Sequence, residues 1–267
     1  MKKLFYPCSI LLLALSACTN DIKEGDAATT RGDYETAYKI FKAAAEKDNP
    51  HAQLMLGTMY VQGLGVKQDY AEALKWLTLS AKQGDGFAQH NLATLYANGT
   101  GVKQDYYSAV DLEKQAAAKG IATAQMALGA LYENGLGTSV NNEEAVRLYK
   151  LSSGQGFAPA YHNLAVMYEN GKGVPKDMVS AINFYRSAAQ KNFAPSQFNL
   201  GIYYAEGEAI KADYTKAYVW MAAAAKSNQP NAQSSLDEIA KQMTPTQMDD
   251  AKAKLSECLA HEFKGCD

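Results

Sequence analysis

Apolar and polar positions along this chain repeat with a period of 36 residues. From Ala52 to Gly63 apolar or small residues recur at helical spacing, and a second such pattern runs from Ala73 to Ser80. The same two patterns return in five successive rows over residues 51–230. Because one helix pair of this size cannot bury its apolar face alone, neighbouring pairs must stack on one another. The pattern therefore predicts an all-α protein of stacked helix-turn-helix units.

Three columns of the repeat carry the predicted core. One column is tyrosine, one is leucine, and one, in the second helix, is alanine. The tyrosine column consists of Tyr60, Tyr96, Tyr132, Tyr168 and Tyr204. Trp76 and Trp220 share another column of the second helix and are predicted to be packed. A shared register over five rows indicates that these side chains lie at equivalent places in each pair.

Capping and turn residues predict where the helices begin and end. Asp69, with Glu72 three residues later, has the pattern of a capping box at the start of a second helix. Pairs of glycines such as Gly63 and Gly65 come just before it and allow positive φ at the joint. Near the C-terminus, Thr244 before a proline predicts the start of a last helix.

The rows "AQxxLGxxYxxGxGVxxDxxxAxxW" resemble Sel1-like repeats, which are relatives of tetratricopeptide repeats. The resemblance covers five full rows at 51–230 and implies a right-handed α-solenoid. Residues 24–50 resemble a tetratricopeptide unit, and residues 231–267 are predicted to form C-terminal capping helices.

The N-terminus has the features of a bacterial export signal. Lysines at positions 2 and 3 precede an apolar run and then small residues, and the run is too short for a membrane span. Leu15-Ser16-Ala17-Cys18 resembles a lipobox, which implies a signal peptide at 1–17, lipidation of Cys18 and a short tether over 18–23. Since residue 19 is not aspartate, the resemblance favours the periplasmic side of the outer membrane over the inner membrane.

Charge and cysteine content narrow the classes of partner. The formal net charge is −2, and loss of two lysines with the signal peptide would make it more negative, so no basic patch favours nucleic acid. Cys258 and Cys266 would be the remaining cysteine pair; in an oxidising compartment they predict a disulfide, with two free thiols as the alternative. Only His261 lies near them, which does not support a zinc site.

No set of residues predicts catalysis or a cofactor. The four histidines, His51, His90, His162 and His261, lack ligand spacing and are interpreted as surface or groove residues. Some Sel1-like proteins carry a β-lactamase label, but Ser-x-x-Lys, Ser-Asp-Asn and Lys-Thr-Gly are absent, as are complete phosphate-binding glycine motifs. We therefore expect a non-enzymatic protein without metal or cofactor.

What remains is a binding surface. In the related tetratricopeptide fold the first helices line a groove, which implies a partner-binding set here. The set is Met55, Thr58, Asn91, Thr94, Asn163 and Asn199. Its asparagines could clamp an extended peptide, or they could instead bridge neighbouring helices.

The expected function is a protein-binding adaptor or inhibitor in the periplasm. Family analogy includes envelope regulators, assembly factors and immunity proteins against secreted lipase toxins. The alternative is a structural scaffold for envelope polysaccharide or cell-wall machinery.

Overall fold

The computed structural model of this protein describes residues 21–266. The predicted signal peptide at 1–17 and the predicted lipidation site Cys18 lie outside the described residues. Over the described part of the chain the regular structure is helical, without a strand. No helix in that part is long and apolar enough to cross a membrane.

Fourteen helices follow one another in the described residues, joined by short loops. Residues 21–30 are helical and form α1, so residues 21–23 of the predicted tether belong to a helix. The others are α2 (Tyr34–Ala45), α3 (Pro50–Gln62), α4 (Tyr70–Lys82), α5 (Gly86–Asn98), α6 (Tyr106–Ala118), α7 (Ala122–Asn134), α8 (Asn142–Gly154), α9 (Ala158–Asn170), α10 (Met178–Ala189), α11 (Ala194–Glu206), α12 (Tyr214–Lys226), α13 (Ala232–Lys241) and α14 (Pro245–Ala260).

The helices form two compact units, an N-terminal unit up to residue 124 and a C-terminal unit from residue 125. In the N-terminal unit α3 packs on α4 and α5 packs on α6, while α4 also packs on α5. In the C-terminal unit α9 packs on α10 and α11 on α12, and α10 packs on α11. The second helices α4 and α10 therefore contact both their own partners and the first helix of the next pair.

Small residues permit this close packing. A Cβ added at Gly57 would lie 2.7 Å from the Leu77 side chain, and one added at Gly129 would lie 2.7 Å from the Tyr149 ring. Leu77 and Tyr149 are both fully buried. A first helix thus carries glycine where a large side chain of its second helix crosses it.

Side-chain caps begin the second helices as predicted. The Asp69 carboxylate accepts hydrogen bonds from the backbone N–H groups of Ala71 and Glu72. The predicted capping box is incomplete there, because the Glu72 carboxylate instead accepts from Lys75 and from the Trp76 indole N–H. The same N-cap role is taken by Asp105, Asn141, Asp177 and Asp213.

A backbone hydrogen bond closes each joint between the two helices of a pair. The Asp69 N–H donates to the Tyr60 carbonyl at 3.1 Å, and the Asp177 N–H donates to the Tyr168 carbonyl at 2.9 Å. The glycine that follows each first helix has the positive φ expected of it, for example +70° at Gly63.

The tyrosine column differs from the prediction. Tyr204 is buried, but the other four members are only half-buried, so Tyr132 is not a core residue. The fully buried tyrosines are Tyr149 and Tyr185, on the second helices α8 and α10. The column lies at the ends of the first helices, next to the solvent-exposed joints, whereas Tyr149 and Tyr185 lie between helices.

The C-terminal helices cover the last repeat. Thr244 begins α14 with a complete capping box, in which Thr244 and Gln247 exchange hydrogen bonds. The structure pairs Cys258 with Cys266, whose Cα atoms are 5.4 Å apart, and both side chains are buried. Their pairing holds the last described residues against α14, beside the hydrophobic core of the C-terminal unit.

Candidate binding cleft

A cleft of about 590 Å³ lies in the C-terminal unit between the end of α9 and the exposed face of α11; we call it the α9–α11 cleft. Its volume is within the range of ligand-binding pockets. It is lined by Glu169, Asn170, Lys176, Met178, Phe198, Asn199, Ile202, Tyr203, Glu206, Glu208 and Ala209. The lining combines apolar side chains on α11 with carboxylates at both edges.

Helix α11 presents this lining because it is a first helix whose neighbours cover only one of its sides. Leu200 and Gly201 face the core and are buried, while Phe198, Asn199 and Ile202 are partly exposed. The joint that follows α11 brings Glu208 back beside the end of the helix. One helix and one joint therefore position most of the cleft.

The Glu169 carboxylate is held in place by tyrosine hydroxyl groups. Tyr185, fully buried on α10, donates its hydroxyl hydrogen to Glu169 Oε2 at 2.5 Å. Tyr203 on α11 lies near Glu169, and Asn199 lies near the Tyr185 hydroxyl, and each neighbour shifts the pKa of the tyrosine. Glu169 thus has a fixed orientation at the edge of the cleft.

The potential inside the cleft is negative. Three lining residues are glutamates, and one is a lysine. The pKa of the Tyr203 hydroxyl is raised by burial first, then by its hydrogen bond to Glu169 and by the negative charges of Glu169, Glu206 and Glu208. All three glutamates line the same cleft as Tyr203.

A related arrangement occurs one repeat earlier, with a different charge balance. The buried Tyr149 donates its hydroxyl hydrogen to Glu133 Oε2 at 2.9 Å, and Asn163 lies near the Tyr149 hydroxyl. There Lys172 Nζ lies 3.2 Å from Glu133 Oε1, forming an ion pair. Glu133 is therefore neutralised by a lysine of the chain itself.

The predicted asparagine ladder has internal partners in the structure. Asn91 Nδ2 donates to Thr58 Oγ1 at 3.3 Å, and Asn163 and Asn199 lie near the hydroxyls of Tyr149 and Tyr185. Asn199 also lines the α9–α11 cleft. The Asn91 bond joins α5 to α3 and is a bridge between neighbouring helices, the alternative raised by the sequence; whether the asparagines bind a peptide stays a prediction.

The threonines and the methionine of the predicted groove lie in the N-terminal unit. Thr58 and Thr94 donate their hydroxyl hydrogens to carbonyl groups of their own helices, and Met55 is partly buried against a core cluster that contains Phe41 and Leu56. Thr94 is exposed. Within their unit these residues lie on the first helices, as predicted; their role in binding stays a prediction.

Two of the histidines, predicted as surface or groove residues, are half-buried and have defined partners. His90 Nδ1 lies 2.9 Å from the carboxylate of buried Glu113, whose pKa is raised by burial and lowered in part by the bond to His90. His162 is held between Tyr185 and Phe193, and burial lowers its pKa. Among the described residues no group of His, Cys, Asp and Glu could hold a metal ion.

Both tryptophans are packed, as predicted. Trp76 is 8% exposed, and Trp220 is fully buried. Neither side chain can serve as an exposed platform for stacking on a sugar ring. The alternative of a polysaccharide scaffold therefore gains no support from them.

Five residues of the cleft are not predicted by the sequence pattern: Glu169, Phe198, Tyr203, Glu206 and Glu208. A signal was present: the lysine at position 172 is replaced by glutamate 36 residues later, at position 208. This replacement is informative only because Lys172 contacts Glu133, and the periodicity of the sequence does not reveal that contact. The contact joins residues 39 positions apart.

Comparison with protein families gives matches along most of the chain. A model described as Sel1 repeat matches residues 23–49, 50–85, 86–121, 122–157, 158–193 and 194–229. The first of these is the segment whose sequence resembles a tetratricopeptide unit. No curated protein matches the chain.

Solved structures show the same architecture. A Sel1 repeat protein from Oxalobacter formigenes is 29% identical, with a TM-score of 0.77 over 86% of this chain and 96% of that one. The protective antigen c5321 of uropathogenic Escherichia coli, described as displaying an SLR fold, is 24% identical, with a TM-score of 0.58 over 92% of this chain and 61% of that one.

A third structure is the immunity protein Pa5087 from Pseudomonas aeruginosa. It is 19% identical, with a TM-score of 0.53 over 78% of this chain and 83% of that one. At this identity the likeness is one of fold. Together these matches confirm the predicted fold class, an α-solenoid of Sel1-like helix pairs.

Proposed function

The chain belongs to the Sel1 repeat family, whose members are protein-interaction scaffolds, and we propose that it is a non-enzymatic scaffold that binds a segment of another protein in the α9–α11 cleft. The observation that supports this proposal is the composition of the cleft. It offers apolar side chains for packing and fixed polar groups for orientation, which is the composition of a ligand site. Adaptor and inhibitor roles both need such a surface.

A bulky substitution at the edge of the cleft tests this function. Asn170 lines the cleft, is exposed, and donates its side-chain amide only to Val166 of its own helix, at 2.9 Å. Asn170→Trp should fill the cleft and reduce capture of the partner from crosslinked cell envelopes by about ten-fold, a loss equivalent to about 1.4 kcal/mol of binding. Captured proteins would be quantified by mass spectrometry against the wild type.

The chain offers a matched control one repeat earlier. Asn134 is also exposed and makes the same bond, to Ala130 at 2.8 Å, but it does not line the cleft. Asn134→Trp should capture the partner as the wild type does. Equal capture by both tryptophan variants would place the binding surface elsewhere on the protein.

We propose further that the scaffold is anchored by lipid at Cys18 on the periplasmic side of the outer membrane. Support comes from the lipobox-like Leu15-Ser16-Ala17-Cys18 after an apolar run, and from a residue other than aspartate at position 19. Several acyl chains on one cysteine would give stable attachment, whereas one chain binds only marginally. Control of envelope processes or neutralisation of a secreted toxin would both be served by this location.

Replacing the acceptor cysteine tests the anchor. Cys18→Ala should abolish metabolic labelling of the protein with palmitate and move it from the membrane fraction to the soluble fraction. Cys8→Ala, which changes a cysteine inside the predicted signal peptide, serves as the control and should keep both properties. Undiminished palmitate labelling of the Cys18 variant would refute the lipobox.

A further inference from the structure

The repeat provides an internal comparison for the charge at Glu169. In the repeat before it, Glu133 binds the Tyr149 hydroxyl and is neutralised by Lys172. In the next repeat Glu169 binds the Tyr185 hydroxyl in the same way. Thirty-six residues after Lys172, however, the chain carries Glu208. The place of the neutralising cation is taken by a second acid.

Glu169 consequently lacks the counter-charge that Glu133 has. Among the described residues no lysine or arginine forms an ion pair with it, although Lys176 lines the same cleft. Glu206 and Glu208 add negative charge that reaches the neighbouring Tyr203 hydroxyl. The cleft therefore offers three carboxylates and one lysine to a ligand, and a cationic group complements this balance of charge.

We infer that the α9–α11 cleft binds a lysine or arginine side chain of a partner polypeptide, with its cationic group at Glu169, where Lys172 stands relative to Glu133. This inference rests on the proposed function and specifies the chemistry of the partner. The aliphatic stem of the side chain would pack along Phe198 and Ile202. At about 590 Å³ the cleft has room for flanking residues of the partner as well.

The geometry reduces the cost of binding such a group. The Glu169 carboxylate is already oriented by its hydrogen bond from the buried Tyr185, so little side-chain entropy is lost when a cation arrives. The cleft is also partly sheltered from water by its apolar wall, which strengthens a charge pair compared with an open surface. Recognition therefore combines charge and packing at one position.

The experiment uses a defined peptide on the purified protein. The probe is a fluorescent pentapeptide with blocked ends and a central lysine between leucines, and its match carries acetyl-lysine at the same position. Fluorescence anisotropy at low salt should show about ten-fold weaker binding of the acetyl-lysine peptide, and weaker binding of the lysine peptide as salt increases. Spermidine, a small polyamine, is added as a competitor to distinguish free amines from peptides.

A charge reversal provides the decisive variant. Glu208→Lys recreates the charge pattern of the preceding repeat, so the new side chain should pair with Glu169 and remove the preference for the lysine peptide. Glu257→Lys changes the net charge equally on exposed α14, away from the cleft, and should keep the preference. Melting temperatures of both variants should remain close to that of the wild type.

Several results would overturn the inference. The inference is wrong if the wild type binds both peptides equally, or if Glu208→Lys retains the preference for the lysine peptide. It is also wrong if the protein binds spermidine without binding the peptide. Loss of partner capture in Asn170→Trp together with equal peptide binding would leave the proposed function intact and remove only the cationic specificity. The two proposals therefore fail separately.

Discussion

Replacing Trp220 by alanine is expected to lower the free energy of unfolding by about 3–5 kcal/mol, the usual cost of removing a large buried aromatic side chain. Trp220 is fully buried on α12 and stacks on Phe263, with ring centroids 6.0 Å apart. The same core cluster contains Cys258, Cys266 and Ile239 from the C-terminal helices. The substitution would therefore open a cavity where the last repeat meets its cap.

Urea unfolding followed by circular dichroism measures this effect. Val179→Ala, in the same unit but 64% exposed, is the control and should change the free energy of unfolding by less than about 0.5 kcal/mol. The loss in Trp220→Ala should appear with a lower midpoint and nearly unchanged slope. A loss no larger than that of the control would contradict the assignment of Trp220 to the core.

The second large effect is expected at the joint between α3 and α4. Gly65 has a φ of +67°, and a Cβ there would overlap the backbone carbonyl group of Tyr34. Gly65→Ala should cost roughly 1–2 kcal/mol for the left-handed backbone and about 1–3 kcal/mol more for the clash, because a backbone atom cannot rotate away. Thermal melting of the full chain would report the sum.

Gly63 separates the two causes. Its φ is +70°, but a Cβ there would lie 3.5 Å from Gln68, an ordinary contact. Gly63→Ala should therefore lose only the backbone contribution and melt at a higher temperature than Gly65→Ala. Equal melting temperatures would show that left-handed strain alone explains the glycine at position 65.

Much of the fold could be predicted because its determinants are local. Helix starts at Asp69 and Thr244 depend on side chains that bind N–H groups two or three residues away. Positive φ at Gly63 is likewise a property of one residue in one turn. The regular return of these signals every 36 residues was sufficient to predict the helix pairs and their stacking.

Contacts between repeats required the tertiary structure. That Gly65 lies against Tyr34, and Gly173 against Asn142, follows from how one joint packs on the start of a preceding helix. Both glycines of a joint look alike in the sequence. Only the packing shows that the second one must lack a side chain.

The candidate cleft likewise depends on contacts between repeats that only the tertiary structure shows. The 36-residue period is enough to establish the register, so that Glu133 and Glu169 share one column and Lys172 and Glu208 share another. It did not determine that these two columns meet, because the ion pair from Lys172 to Glu133 crosses 39 residues. The interaction between two charges depends on the distance between them, and the stacking of the repeats sets that distance. The change from lysine at position 172 to glutamate at position 208 therefore bears on the candidate cleft only in the folded chain.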